Sequence, residues 1–364
     1  MFSPQVIPAG PVELRPPSEK DVEAIVRACA DPLIVRFIPL IPVPYTRDDA
    51  LAFLQTAARS WEQGGADFAI ADPATGDWLG NIGLKPPHPR GAVEVGYLVA
   101  PWARGRGVAS TALRALTEWA FAHGVPRVEL VADVENVASQ RVAYAAGFAR
   151  EGVQRGGGSD RDGTRRDMVV FARLAGDPGE PIRPYLPYPP GDALDDGVVR
   201  LAPITVDDAA DFHRMMCDPD VVRYRIPPEA PSLAEMTDRC TRTGMWWLAG
   251  ERAELSIRDA ATGEFAGHIQ LVHIMPPLGE AMVGYSLLPE YRGRGMATRA
   301  VRLLVEWVFA NTPLWRIVAG TNPANTASQR VLERAGFSRE TLLRQAVPAF
   351  GGGYADDLRW VRRR

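Results

Sequence analysis

Lysine is almost missing from this chain. Of 41 basic residues only Lys20 and Lys85 are lysines, which looks like the codon bias of a GC-rich genome rather than a binding signal. The arginines do not add up to a basic surface either: the formal net charge is −3, which excludes a chain built to coat nucleic acid. Cysteine is scarce. Cys29, Cys217 and Cys240 have no paired spacing, so they read as reduced, buried thiols of a cytoplasmic protein and not as a disulfide framework. His88, His123, His213, His268 and His273 are scattered. No cysteine–histidine pairing or ligand cluster suggests a covalent or metal route, so no metal is expected. No run of apolar residues approaches a membrane span, and Met-Phe-Ser-Pro-Gln at the start lacks the basic and apolar regions of a signal peptide.

What the chain does have, it has twice. Glu94-Val-Gly-Tyr-Leu-Val-Ala-Pro-Trp-Ala-Arg104-Gly-Arg-Gly107-Val-Ala109 is matched by Met282-Val-Gly-Tyr-Ser-Leu-Leu-Pro-Glu-Tyr-Arg292-Gly-Arg-Gly295-Met-Ala297. Each copy reads as strand, glycine-rich turn and helix. The helices carry an apolar stripe at helical spacing: Val108, Ala112, Leu116 and Trp119 in one, Met296, Ala300, Leu304 and Trp307 in the other. The flanking landmarks repeat as well. Asp21 and Asp31-Pro32 return as Asp208 and Asp218-Pro219 after 187 residues, the glycine loops lie 188 apart, and Asn136-Val-Ala-Ser139 returns as Asn325-Thr-Ala-Ser328 after 189. So small a drift means one fold duplicated. At 364 residues the length also suggests two domains. We expect a first domain over 1–175, a proline-rich, extended linker over 176–197 and a second domain over 198–364.

A turn of this kind captures anions. A helix start leaves its first N–H groups without intrahelical partners and carries the positive end of the dipole, and glycines let a diphosphate approach the backbone. No Gly-Lys-Ser/Thr follows, so it is not the phosphate loop of nucleotide hydrolases, nor is it Gly-x-Gly-x-x-Gly. Arg104-x-x-Gly107-x-Ala109 and Arg292-x-x-Gly295-x-Ala297 resemble the acetyl-CoA pyrophosphate loop of the GNAT superfamily of N-acetyltransferases. Asn136-x-x-Ser139 and Asn325-x-x-Ser328, each running on to Gly-Phe, resemble the branch that acetylates N-terminal residues of ribosomal proteins. The likeness covers nearly the whole chain outside the linker.

Each half shows a strand, two helices, a run of strands, the loop and helix, a strand, a short helix and closing strands. That order predicts an α/β fold: two tandem domains, each a mostly antiparallel sheet with helices on both faces. The resemblance implies that two adjacent parallel strands splay apart and admit the cofactor's pantetheine arm. It places acetyl-CoA against Leu98, Val99, Arg104, Gly105, Arg106, Gly107, Val108, Ala109 and Asn136 in the first half. In the second half it places the cofactor against Leu287, Leu288, Arg292, Gly293, Arg294, Gly295, Met296, Ala297 and Asn325. The arginine side chains fit a solvated turn as well as a phosphate contact.

Acyl transfer to an amine needs a base for the amine, a hydrogen-bond donor for the thioester oxygen and a proton for the leaving thiolate. Glu94 lies two residues before Gly96 and faces the same side of the strand, so it fits a base; it also fits a solvent-facing glutamate at a strand start. Glu135 is a second possibility. Met282 takes the place of Glu94 in the second half and cannot accept a proton, which leaves Glu280 two residues further out. Ser139 and Ser328 fit helix capping, and the resemblance adds a role at the cofactor sulfur. Many family members place a proton-donating tyrosine four residues before the Gly-Phe glycine. Here those positions are Ala143 and Leu332, so that role does not carry over.

The expected activity is acetyl-CoA-dependent N-acetyl transfer by direct attack of a primary amine, from a small molecule or a peptide N-terminus. Two alternatives stand beside it: one half as a non-catalytic acyl-CoA-binding or structural domain, or the whole chain as an acyl-CoA sensor. The halves are expected to pack together, and a homodimer is possible. No nucleic-acid or membrane partner is expected.

Overall fold

A computed structural model describes residues 2–88 and 91–364. It divides into two compact units with the boundary between Arg183 and Pro184. The first unit contains β1 (Ile7–Ala9), β2 (Val12–Arg15), α1 (Val22–Cys29), α2 (Pro32–Phe37), α3 (Arg47–Glu62), β3 (Ala66–Ala71) and β4 (Trp78–Leu84). It continues with β5 (Ala92–Val99), α4 (Val108–Ala122), β6 (Arg127–Asp133), α5 (Val137–Ala145), β7 (Ala149–Ser159) and β8 (Arg165–Leu174). The second contains β9 (Leu194–Asp195), β10 (Val199–Pro203), α6 (Ala209–Met216), α7 (Pro219–Tyr224), α8 (Leu233–Leu248), β11 (Ala253–Asp259) and β12 (Phe265–Met275). It ends with β13 (Glu280–Leu287), α9 (Met296–Asn311), β14 (Arg316–Thr321), α10 (Thr326–Arg334), β15 (Ser338–Pro348) and β16 (Tyr354–Arg363).

The described residues form two eight-stranded sheets with the same plan: β1-β2-β3-β4-β5-β6-β8-β7 and β9-β10-β11-β12-β13-β14-β16-β15. Within each, a single parallel pairing, β5 with β6 or β13 with β14, interrupts an otherwise antiparallel ladder. The crossover helix α4 or α9 makes that parallel step possible. This is the expected α/β architecture.

Local chemistry starts the helices. Thr46 before α3 and Ser232 before α8 form capping boxes with Asp49 and Glu235. Asp31-Pro32, where the sequence pattern ends the first helix, also starts another: the Asp31 side chain accepts from Ile34 N at 3.1 Å and Pro32 opens α2. The span of β7, one of the closing strands, is not marked in the sequence, because the run Gly156-Gly-Gly158 within it masks the alternation.

Part of the proline-rich segment is built into the second unit. Leu194 and Asp195 pair with Leu201 and Arg200, and Leu186 is fully buried. Trp247 Nε1 donates to Leu186 O at 3.1 Å, and Tyr188 stacks on the same indole.

The two faces of the first unit's sheet differ along β5 and β6. In β5 and β6 the residues Val93, Val95, Val128, Leu130 and Ala132 are buried. Glu94, Gly96, Glu129 and Asp133 alternate with them and remain partly or wholly exposed. The first set faces the α5 side, where Tyr97 meets Ser139; the second faces the α3 side, where Ser60 hydrogen-bonds Asp67. A dry core therefore lies on one face and an accessible groove on the other.

Candidate active site

The glycine loop follows β5 through one turn of 3-10 helix at Pro101–Ala103 and ends at Gly107, which opens α4 in the left-handed conformation. Gly105 and Gly107 have φ of 73° and 74°, and Gly293 and Gly295 have 75° and 79°. Only glycine adopts such angles without strain. Among the described residues no side chain caps α4 or α9. A Cβ built on Gly105, Gly293 or Gly295 would meet no described atom within 4 Å. Each helix start is thus a bare, open ring of backbone donors, a shape that fits a diphosphate. In the second unit a cleft of about 520 Å³ adjoins this start, lined by Gly295, Thr298, Leu303, three arginines (Arg299, Arg302 and Arg334) and two carboxylates (Asp196 and Glu306). Its arginines suit further phosphate charge, and Asp196 holds Arg299 at 3.0 Å.

The loop arginines are engaged within the protein. Arg104 donates to Asp31 at 2.6 Å, and that hydrogen bond holds the Asp31 carboxyl below its ordinary range. Arg292 meets Asp218 at 2.6 Å and Asp220 at 3.0 Å. These pairs fasten the starts of α2 and α7 to the glycine loops. Arg106 is exposed, and Arg294 lies over the Tyr291 ring at 5.3 Å.

The strands part beside the loop. β5 and β6 are paired from Ala92–Arg127 to Val95–Leu130, and β13 and β14 from Glu280–Arg316 to Met282–Val318. Beyond those points one edge of Gly96–Val99, and of Val283–Leu287, has no strand partner among the described residues, which presents backbone N–H and C=O groups at the gap, although Leu287 O accepts from Arg292 Nε at 3.2 Å. Leu98 and Val99, with Leu287 in the second unit, lie on this free edge; Leu288 follows directly and is buried.

A hydroxyl pair bridges each gap. Tyr97 Oη and Ser139 Oγ are 2.8 Å apart, as Tyr285 Oη and Ser328 Oγ are at 2.9 Å. Asn136 and Asn325 cap their short helices by accepting from Ser139 N and Ser328 N, both at 3.0 Å. Burial pushes both phenols up, so they remain protonated donors. An aromatic side chain within a strand reads first as packing, and Tyr97 and Tyr285 are two such residues. Their alternation with Gly96 and Gly284 was the available signal, since it turns them toward the face where the serines lie. Ala143 and Leu332 are fully buried.

The candidate bases differ in setting. Glu94 is half-exposed at the last turn of pairing, with Lys85 Nζ at 2.5 Å. Glu135 is tied to Arg36 and Arg166. Glu280 pairs with Arg316, which also holds Glu340, and it lies at the far end of the paired stretch. Met282 takes the place of Glu94 beside the second gap.

The family model described as "Acetyltransferase (GNAT) domain" matches residues 12–149 and 199–338. The Bacillus subtilis (strain 168) protein named "Probable N-acetyltransferase YjcK" is 38% identical over 102 residues, 28% of this chain; the match spans 56% of that protein's length. The spermidine N(1)-acetyltransferase of Escherichia coli (strain K12) is 25% identical over 39% of this chain and 74% of its own. Among solved structures, Mycobacterium smegmatis RimJ in complex with CoA-disulfide is 24% identical, with a TM-score of 0.44 over 50% of this chain and 90% of that one.

Proposed function

The chain belongs to the GNAT acetyltransferase family, whose domain it carries twice, and on that premise we propose that it transfers an acetyl group from acetyl-CoA to a primary amine. The observation that supports this most is the conjunction, in the first unit, of an uncapped helix start at Gly107, an unpartnered strand edge at Gly96–Val99 and a half-exposed carboxylate at Glu94.

The loop amides around Gly105 and Gly107 hold the diphosphate. The free edge of β5 takes the amides of the cofactor arm. The thioester supplies an acyl carbon open to a nitrogen nucleophile: the C–N bond forms, the C–S bond breaks and the thiol leaves. Glu94, directly or through a water, receives the proton the amine gives up. The Tyr97–Ser139 pair is a protonated hydroxyl pair beside the gap and serves the leaving sulfur, the role that Ala143 cannot fill. Glu94 meets the groove that runs over Gly96, so the amine arrives along that face. The acceptor is a small-molecule amine or a peptide N-terminus; the name of the spermidine N(1)-acetyltransferase relative puts polyamines among the candidates.

Thiol release measured across a panel of amines identifies the acceptor. With it, Glu94→Gln lowers kcat by about 10²–10⁴-fold, leaves acetyl-CoA affinity nearly unchanged, and loses less activity as pH rises and the amine deprotonates in solution. Full activity in Glu94→Gln at pH 7 removes Glu94 from the mechanism.

A further inference from the structure

The two units diverge at the residues facing the groove. In the first unit the register aligns Asp67, Gly83 and Gly96 across β3, β4 and β5, and a Cβ built on Gly96 would meet no described atom within 4 Å. In the second unit Glu254, Gln270 and Gly284 occupy the same row of β11, β12 and β13. There Gln270 lies across the glycine: its Nε2 sits 3.0 Å from where a Gly284 Cβ would be.

Gln270 is clamped. Its Oε1 accepts from Arg239 and from Arg252, each at 2.8 Å. Both guanidiniums also grip the fully buried Glu254, Arg239 through contacts of 2.8 to 3.1 Å and Arg252 at 2.6 Å. His268, buried against Phe212, closes the cluster on the other Glu254 oxygen. A glutamine anchored by two arginines on one buried carboxylate is not a side chain that drifts aside. The first unit has Asn81 and Gly83 where the second has His268 and Gln270, and Phe53 at the position in α3 that Arg239 takes in α8.

We infer that Gln270 stoppers the acceptor side of the second unit, which leaves that unit a holder of the CoA thioester that does not turn it over. The inference rests on the reading above that the amine approaches along the Gly96 face. Three features agree. The phosphate end of the second unit is intact and richer in arginine, with Arg299 and Arg302 where the first unit has Thr111 and Arg114. The base position is Met282. Val318, which pairs beside Met282, is buried, whereas its counterpart Glu129 is half-exposed.

The test uses the full chain with a single reporter cysteine, Glu94→Cys or Met282→Cys, and a small cationic methanethiosulfonate that mimics an amine. Modification is read peptide by peptide, so the three native cysteines are followed separately. Met282→Cys, although partly exposed like Glu94, should react at least about tenfold more slowly than Glu94→Cys, because the clamped Gln270 blocks the approach over Gly284, two residues along the same face. Adding Gln270→Ala should bring its rate up to that of Glu94→Cys. Equal rates at the two cysteines overturn the inference, and so does a Met282→Cys rate that Gln270→Ala leaves unchanged. Should Gln270→Ala lose its fold by circular dichroism, the first comparison decides alone. Failure of every amine to release thiol would instead refute the transferase reading and leave the labelling contrast untouched.

Discussion

Asp21 and Asp208 show how one residue role survives a change of partner. Both close the capping turn before the first helix of their unit, and both are buried. A buried carboxylate needs a cation. Asp21 takes Arg15 from β2, through bonds of 2.9 and 2.7 Å, whereas Asp208 takes Arg258 from β11, a strand further along. The aspartates repeat at a fixed offset in the sequence; their arginines do not, because two different strands can reach the same point. Asp21→Ala leaves the buried Arg15 with only Glu13, at 3.9 Å, to balance its charge, which costs about 3 kcal/mol, the lower end for breaking a buried pair. Chemical denaturation should show that loss in the first unit's transition. A loss no larger than that of an exposed pair, below about 1 kcal/mol, would mean that water reaches Arg15.

At the scale of elements, the β11–β12 hairpin and its counterpart β3–β4 respond oppositely to acid. The Glu254 carboxyl is held down at about 2: burial opposes this, and His268, Arg239 and Arg252 outweigh it. Its stabilisation is present above the ordinary value of 4.5 and fades as pH falls toward 2. Burial also lowers His268 from its ordinary 6.5, so the unfolded chain takes that proton first and acid again favours unfolding. Asp67, at Glu254's place in the first unit, is raised by burial, so acid stabilises it. Hydrogen exchange corrected for intrinsic rates should therefore show β11–β12 losing protection relative to β3–β4 between about pH 7 and pH 5. His268→Asn, the residue at position 81, should flatten that difference; a difference that persists unchanged in the variant assigns it elsewhere.

For the whole molecule, two glycine loops of the same geometry imply two cofactor sites per chain. Calorimetry with CoA should resolve a stoichiometry of two, as expected for two uncapped helix starts. Gly107→Val or Gly295→Val forces a branched side chain into a left-handed backbone and should remove one site each. A stoichiometry of one in the unaltered chain overturns this, and whichever of the two variants then leaves binding unchanged marks the unit without a cofactor site. Among the described residues no helix is long and apolar enough to cross a membrane.

The duplication, the element order around the loops, and the glycine turns themselves were legible in the sequence. Local rules govern them: Gly107 and Gly295 need positive φ, Asn136 and Asn325 cap the helices they begin, and Val128, Leu130 and Ala132 alternate as one face of a strand must. α2 and the span of β7 escaped, since Asp31-Pro32 can close one helix and open the next, and glycines leave no alternation to follow. What only the tertiary structure decided is which side chains meet. That Arg104 is spent on Asp31, that Glu280 is held by Arg316 while Glu94 stands at the groove, and that Tyr97 reaches Ser139 depend on contacts between elements far apart in the chain. Gln270 makes the point most directly. As one polar residue in a strand it carries no signal; its consequence comes from Gly284 lying opposite on β13 and from two arginines that converge on it from α8 and the start of β11.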